Sequence, residues 1–114
     1  MSFDALVANP GRLRILTALA AARRQPFVEL RRQTGLTDGN LSTHARRLQS
    51  AGFIAIEKSI DSGKPLTMLE LTPRGRDALT AHAHALLRSL QAPPTAAVEE
   101  TPADDDDYVD DWVD

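Results

Sequence analysis

Six polar side chains crowd into eight positions: Asn40, Ser42, Thr43, His44, Arg46 and Arg47. They are the types that read the edges of base pairs. Asn pairs with adenine and Arg with guanine through two hydrogen bonds each, and a hydroxyl serves either. Between them Leu41, Ala45 and Leu48 recur at i, i+4 and i+7 as a single apolar stripe. A helix with one buried stripe and small, hydrogen-bonding and cationic groups elsewhere suits the major groove of DNA. Gly39, Thr43, Arg46 and Arg47 fall opposite the stripe, with Asn40, Ser42 and His44 on its shoulders. His44 lies only about 60° from the stripe, so it is either a packed, hydrogen-bonded ring or a base or phosphate contact.

Other chemistries find little support. The absence of cysteine removes disulfides, thiolate nucleophiles and Cys-type zinc sites together. There is no Gly-rich phosphate loop and no His–carboxylate arrangement, and Asp61-Ser62-Gly63 is better explained by a turn. An enzyme is not expected, nor a cofactor. His82 and His84, two apart on a helix, point about 200° away from each other and cannot share an ion within it. They are solvent-facing polar positions unless a site between subunits uses one of them with Asp77 or a tail carboxylate. No metal site is assigned.

The charge is segregated. The net charge is −3, yet residues 1–98 hold all 13 Lys and Arg against seven acids, a balance of +6. Residues 99–114 hold nine acids and no base, a balance of −9. A basic body with an acidic tail points to nucleic acid and an interaction tail. Eleven of the 13 cations are arginine, which offers phosphate and guanine a bidentate fork where lysine offers a point charge. No run is apolar and long enough to span a membrane, and no basic-then-apolar leader opens the chain, so a cytoplasmic location is expected.

The elements that would position the polar cluster are legible from caps and periodicity. Ser2 to Ala8 can form one or two helical turns. Asn9-Pro10 reads as an N-cap with proline at the first helical position. The helix it opens, Gly11 to about Ala22, turns Leu13, Leu16, Leu19 and Ala20 inward and leaves Arg12, Arg14, Arg23 and Arg24 wet. Gln25-Pro26-Phe27 breaks it. A short helix follows from Val28 to about Thr34, then a turn at Gly35-Leu36. Thr37 caps the polar helix, and Gly52 sits where a helix needs a left-handed stop. The period then changes from 3.6 to 2: Phe53, Ile54 and Ile56 begin one strand, Met68, Leu69 and Leu71 another. Lys58 to Pro65, polar and glycine-containing, is the hairpin tip. Thr72-Pro73 repeats the cap-plus-proline signal and opens a last helix, Pro73 to about Gln91. Its Leu79, Ala83, Leu86 and Leu90 fall at spacings of 4, 3 and 4, a coiled-coil-like seam. That seam is either a dimer contact or core of the monomer.

The segments LTDGNLSTHARRLQSAGFI (36–54), GKP (63–65) and LELTPRGRDAL (69–79) resemble the small winged-helix transcriptional regulators of the MarR and ArsR groups. The resemblance covers roughly residues 5–90. It implies a mainly α fold with a small β-hairpin wing, in the order α-α-α-β-β-α. It also implies a homodimer that binds palindromic operators on double-stranded DNA, usually as a repressor, with a terminal helix that dimerises. Carried over residue by residue, Asn40, Ser42, Thr43, His44, Arg46 and Arg47 match groove-facing positions, and Lys58 and Lys64 match wing positions near the backbone. Sensor members carry metal-ligating Cys and His sets or an apolar effector pocket in a longer chain; this chain has no Cys.

The expected organisation is a DNA-binding domain over 1–91, with its dimerisation helix at about 73–91, followed by a linker and acidic tail over 92–114. Phosphate contacts are expected from Arg12 or Arg14, Arg31, Arg32, Lys58 and Lys64. In the tail, DDDDYVDDWVD, Tyr108 and Trp112 alternate with carboxylates. It is either a solvated end that aids solubility or an interaction motif. As the latter it competes with DNA as a mimic or recruits a protein. The competing class is a protein-interaction module whose winged helix and tail bind a protein partner instead of DNA.

Overall fold

A computed structural model describes residues 4–91. The element order is α1 (Ala5–Ala8), α2 (Pro10–Ala21), β1 (Arg24–Pro26), α3 (Phe27–Thr34), α4 (Asp38–Ser50), β2 (Ile54–Asp61), β3 (Lys64–Leu71) and α5 (Pro73–Gln91). Three antiparallel strands form a small sheet in the order β1-β3-β2. The fold is mainly helical with a β-hairpin wing, and the tail lies outside the described residues.

Caps set the helix boundaries. The Asn9 carboxamide accepts from the backbone N–H of Gly11 at 2.9 Å and of Arg12 at 3.2 Å, so α2 starts with two otherwise orphaned donors satisfied. Thr37 does the same for α4, accepting from Asn40 N–H at 3.1 Å. At the other end of α4 the Phe53 N–H reaches back to Leu48 O at 2.9 Å and the Gly52 N–H to Gln49 O at 2.9 Å. Gly52 has φ +82°, so this is a Schellman closure in which a residue with a Cβ would be strained. Thr72 then links α4 to α5: its hydroxyl donates to Gly52 O at 2.7 Å and accepts from Gly75 N–H at 3.0 Å.

The core is one cluster built from Val7, Ile15, Leu16, Leu19, Leu30, Leu36, Leu41, Ala45, Leu48, Phe53, Ile54, Leu69 and Leu71. Each fully buried Leu or Ile contributes about 1.5–3 kcal/mol relative to exposure. The apolar stripe of α4 lies inside this cluster, which fixes the helix about its axis and therefore decides which of its polar residues face out.

Three local expectations are corrected. Gln25-Pro26 does more than break a helix: residues 24–26 form a strand paired with Glu70, Leu69 and Met68 of β3. The buried Gln25 amide donates to Ala18 O at 2.8 Å and Ala22 O at 2.7 Å, closing the carbonyl end of α2. Lys58 to Pro65 is mostly strand. β2 and β3 stay paired from Ile54–Leu71 to Asp61–Lys64, and the turn shrinks to Ser62-Gly63. Both turn residues have positive φ, 54° and 80°, the requirement of a two-residue turn whose twist matches the strands. Finally, Arg12 is not wet but buried. Among the described residues no helix is long and apolar enough to cross a membrane.

Candidate nucleic-acid interface

The six polar residues of α4 divide by rotation about the helix. Arg46 and Arg47 are exposed, and Ser42 and Thr43 are half-buried at the edge of the outward face. Asn40 and His44 are not on that face: they are 4% and 1% exposed and lie against the core side. The expectation that Asn40 and His44 read bases is thus corrected by burial, and of the two readings of His44 the packed one holds.

The reason is a close approach between α2 and α4. The His44 ring lies on Gly11, where an added Cβ would come within 2.5 Å of Nε2. Arg12 folds in beside it. The Arg12 Nε donates to Leu6 O at 2.7 Å, and its Nη1 sits 3.4 Å from His44 Nδ1, long for a hydrogen bond. A guanidinium only donates, so in any hydrogen bond between the two His44 Nδ1 is the acceptor. Arg12 therefore positions α1 and α4, and the phosphate role expected of it is corrected.

Other cations differ in their partners. Arg31 Nη1 bonds Asp38 Oδ1 at 2.9 Å, and Arg32 is paired with Glu29 through Nη2 and Nε. The Arg32 guanidinium, with help from the Gln33 amide, holds the Glu29 carboxyl below the ordinary glutamate range, and Glu29 in turn raises Arg32. Arg24 reaches Glu57 at 2.7 Å, and Arg23 lies 3.4 Å from Glu70. Arg14 donates to Thr34 O at 3.4 Å. By contrast, Arg46, Lys58 and Lys64 have no ion pair or hydrogen-bond acceptor among the described residues.

Arg46 and Lys58 flank a cleft of about 560 Å³ between α4 and the hairpin. Ser42, Arg46 and Gln49 line its helix side, and Lys58 and Thr67 its strand side. Gln49 and Thr67 were not singled out by sequence, although the signal exists for the first. Ser42, Arg46 and Gln49 repeat at i, i+4, i+7 one residue behind the stripe Leu41, Ala45, Leu48, so they share a face beside it.

The helix seam resolves into two parts. Leu79 packs against the core, whereas Ala83, Leu86 and Leu90 are exposed, the last at 73%. Leu87 joins the exposed set. Tyr108 and Trp112 lie outside the described residues.

Helices α2, α3 and α4, the last turned outward and followed at once by a two-stranded hairpin, have the arrangement of a winged helix. The sequence profile of the winged helix DNA-binding domain matches residues 12–90. The chain belongs to this family. A curated relative in Methanocaldococcus jannaschii, an uncharacterised protein, is 32% identical over 77 residues, covering 68% of this chain and 84% of its own. Among solved structures, this winged helix is similar to a transcriptional regulator homologue from Pyrococcus horikoshii. That protein shares 31% identity at a TM-score of 0.65, with 76% of this chain and 89% of that one covered. A probable transcriptional regulator from Pseudomonas aeruginosa follows at 28% identity and a TM-score of 0.58, covering 74% and 68%. A MarR-family regulator from Silicibacter pomeroyi shares the fold at a TM-score of 0.57 and 22% identity, covering 93% and 68%. The winged helix is thus a DNA-binding domain of the transcription-regulator class, a family of binding proteins and not of enzymes.

Proposed function

We propose that this chain is a homodimeric, sequence-specific repressor that sets α4 in the major groove and the β2–β3 wing against the flanking backbone. The observation that carries the reading is the unpaired set: Arg46 on α4 and Lys58 on the wing line one cleft with no carboxylate in salt-bridge contact, and Lys64 at the wing tip also makes no ion pair among the described residues. In this reading Ser42, Thr43, Arg46 and Arg47 meet base edges, and the wing lysines meet phosphates. The exposed Ala83, Leu86, Leu87 and Leu90 of α5 supply the contact between copies, because two-fold symmetry doubles the short site one winged helix covers. The acidic segment 99–114 acts as a DNA mimic: nine carboxylates on a tether compete with phosphates at high local concentration.

The test is titration of the full chain with random-sequence duplex DNA at several salt concentrations, beside a full-length variant whose tail aspartates are replaced by asparagine. About six phosphate contacts in a dimer give a slope of about −5 in log K against log salt, and the neutralised tail binds more tightly. Sedimentation of Leu90→Asp reads the dimer, which should shift toward monomer. Failure of both proteins to bind any duplex would leave protein recognition as the use of this fold.

A further inference from the structure

The cleft between α4 and the wing is more than a gap between two DNA-contacting elements. Its volume of about 560 Å³ is in the range of sites that enclose a ligand. Phe27, Ala45, Ile56 and Leu69 make an apolar floor, and Arg46 and Lys58 stand over it. The pairing of Ile56 with Leu69 and of Lys58 with Thr67 explains this layering. Residues two apart on a strand share a face, so apolar and cationic positions succeed each other along the same wall. An apolar floor beneath two unpaired cations fits a flat aromatic side chain flanked by carboxylates.

The chain itself carries such a group. Trp112, its single Trp, directly follows Asp110 and Asp111. We propose that Trp112 seats in this cleft, with Asp110 and Asp111 facing Arg46 and Lys58, so that each chain's own tail plugs the gap that the groove wall of DNA would otherwise cover. The inference rests on the reading of residues 99–114 as a competitor of DNA and adds the place where it anchors. Charge complementarity supports the choice of occupant, and so does reach. Between Gln91 and Trp112 the chain runs 21 residues, which as a relaxed coil span about 25 Å. The tail attaches at the far end of α5, whose 19 residues rise about 28 Å. A tether of that span holds the tail at high effective concentration near the domain it leaves.

Because Trp112 is the only tryptophan, the full chain reports on the seat without a label. Its emission should be blue-shifted and shielded from acrylamide compared with a free peptide of residues 104–114. Thr67→Phe, which fills the cleft and spares both cations, should return the quenching to that of the peptide; Lys58→Glu should do so independently should Thr67→Phe fail to fold. Saturating duplex DNA should expose Trp112, and Trp112→Ala should tighten duplex binding about tenfold, as loss of an aromatic anchor does. Shielding should persist on dilution. A Trp112 quenched like the peptide before DNA is added overturns the proposal, and so does shielding that Thr67→Phe, Lys58→Glu or DNA leaves unchanged. Shielding lost on dilution overturns it in favour of the tail of another copy. Shielding that depends on the cleft, in a protein that binds no duplex even as Trp112→Ala, retains the seat and removes the DNA reading instead.

Discussion

The arginines of β1, α3 and their flanks and the cations of α4 and the wing are equally exposed on paper, yet they stand in opposite electrical situations. Arg23, Arg24, Arg31 and Arg32 share four carboxylates, Glu29, Asp38, Glu57 and Glu70, so that region is locally neutral. Arg46, Lys58 and Lys64 have no such partners among the described residues. On the proposed DNA-bound reading, the field that draws a phosphate backbone comes mainly from the second set, because a charge already matched a few ångströms away contributes little beyond a Debye length of about 8–10 Å. The body's balance of +6 conceals this. Counting cations along a sequence overstates α3 and understates the wing.

Single substitutions can break the comparison. Arg46→Ala should cost the most, ~1–3 kcal/mol at the preferred operator if Arg46 holds a base. Equal loss on every sequence would make it a phosphate contact, and no loss at all would dissolve the contrast between the two sets. Replacing Lys58 and Lys64 with Ala should weaken binding uniformly across sequences and lower the salt slope by about one for each contact removed. A change confined to one operator would mean that the wing reads bases.

Asp38→Asn with Glu29→Gln should work in the opposite direction, releasing Arg31 and Arg32 and steepening the salt slope by at most about one per arginine. Fold stability should barely move, since exposed pairs are worth little. An unchanged slope would show that these arginines lie outside the DNA footprint. The smallest effect belongs to pH. Glu29 titrates below an ordinary glutamate, so its contribution is complete above the unfolded carboxylate range and disappears as pH falls through the lowered folded value. A side-chain carboxyl NMR titration should place the Glu29 midpoint below that of the same residue in an unfolded peptide, and Arg32→Ala should bring the two together.

How much of this was readable beforehand depends on the kind of signal. Caps translate directly: Asn9-Pro10, Thr37, Gly52 and Thr72-Pro73 each mark a boundary found in the structure, because each residue type answers a local backbone need. The wing strands were placed by their period, but their length was not. Lys58, Ser59 and Lys64 look like loop residues, and only the positive φ at Ser62-Gly63 allows the ladder to run to the tip. Strand β1 carries no period at all in three residues; it exists because Gln25 satisfies the end of α2.

The site was half legible. Arg46 and Arg47 emerge outward as their distance from the stripe requires. Asn40 and Arg12 are polar yet buried, so polarity alone misleads about exposure there, and His44 takes the packed reading of its two. A wider stripe, Leu41, His44, Ala45 and Leu48 at i, i+3, i+4, i+7, places His44 inside without any structure. Arg12 offers no comparable sign, since its burial comes from a carbonyl of α1 and a ring of α4 that are near only in three dimensions.

The sheet that carries the wing is three strands wide only at its root. β1 meets β3 at Met68, Leu69 and Glu70, whereas the ladder of β2 and β3 continues to Asp61 and Lys64. Beyond Thr67 the hairpin is a cantilever: clamped at one end by the core, supported there on both flanks, and bare along its outer reach. Deflection of such a beam grows toward the tip, so Lys64 has more room to move than Leu69 and Ile54 at the clamp. Amide exchange should grade along the ladder in the same sense, slow at the clamp and fast at the turn. The wing is then a compliant finger on a rigid knuckle, and in the proposed DNA-bound arrangement it would accept operators of differing groove width without remodelling the domain that holds it.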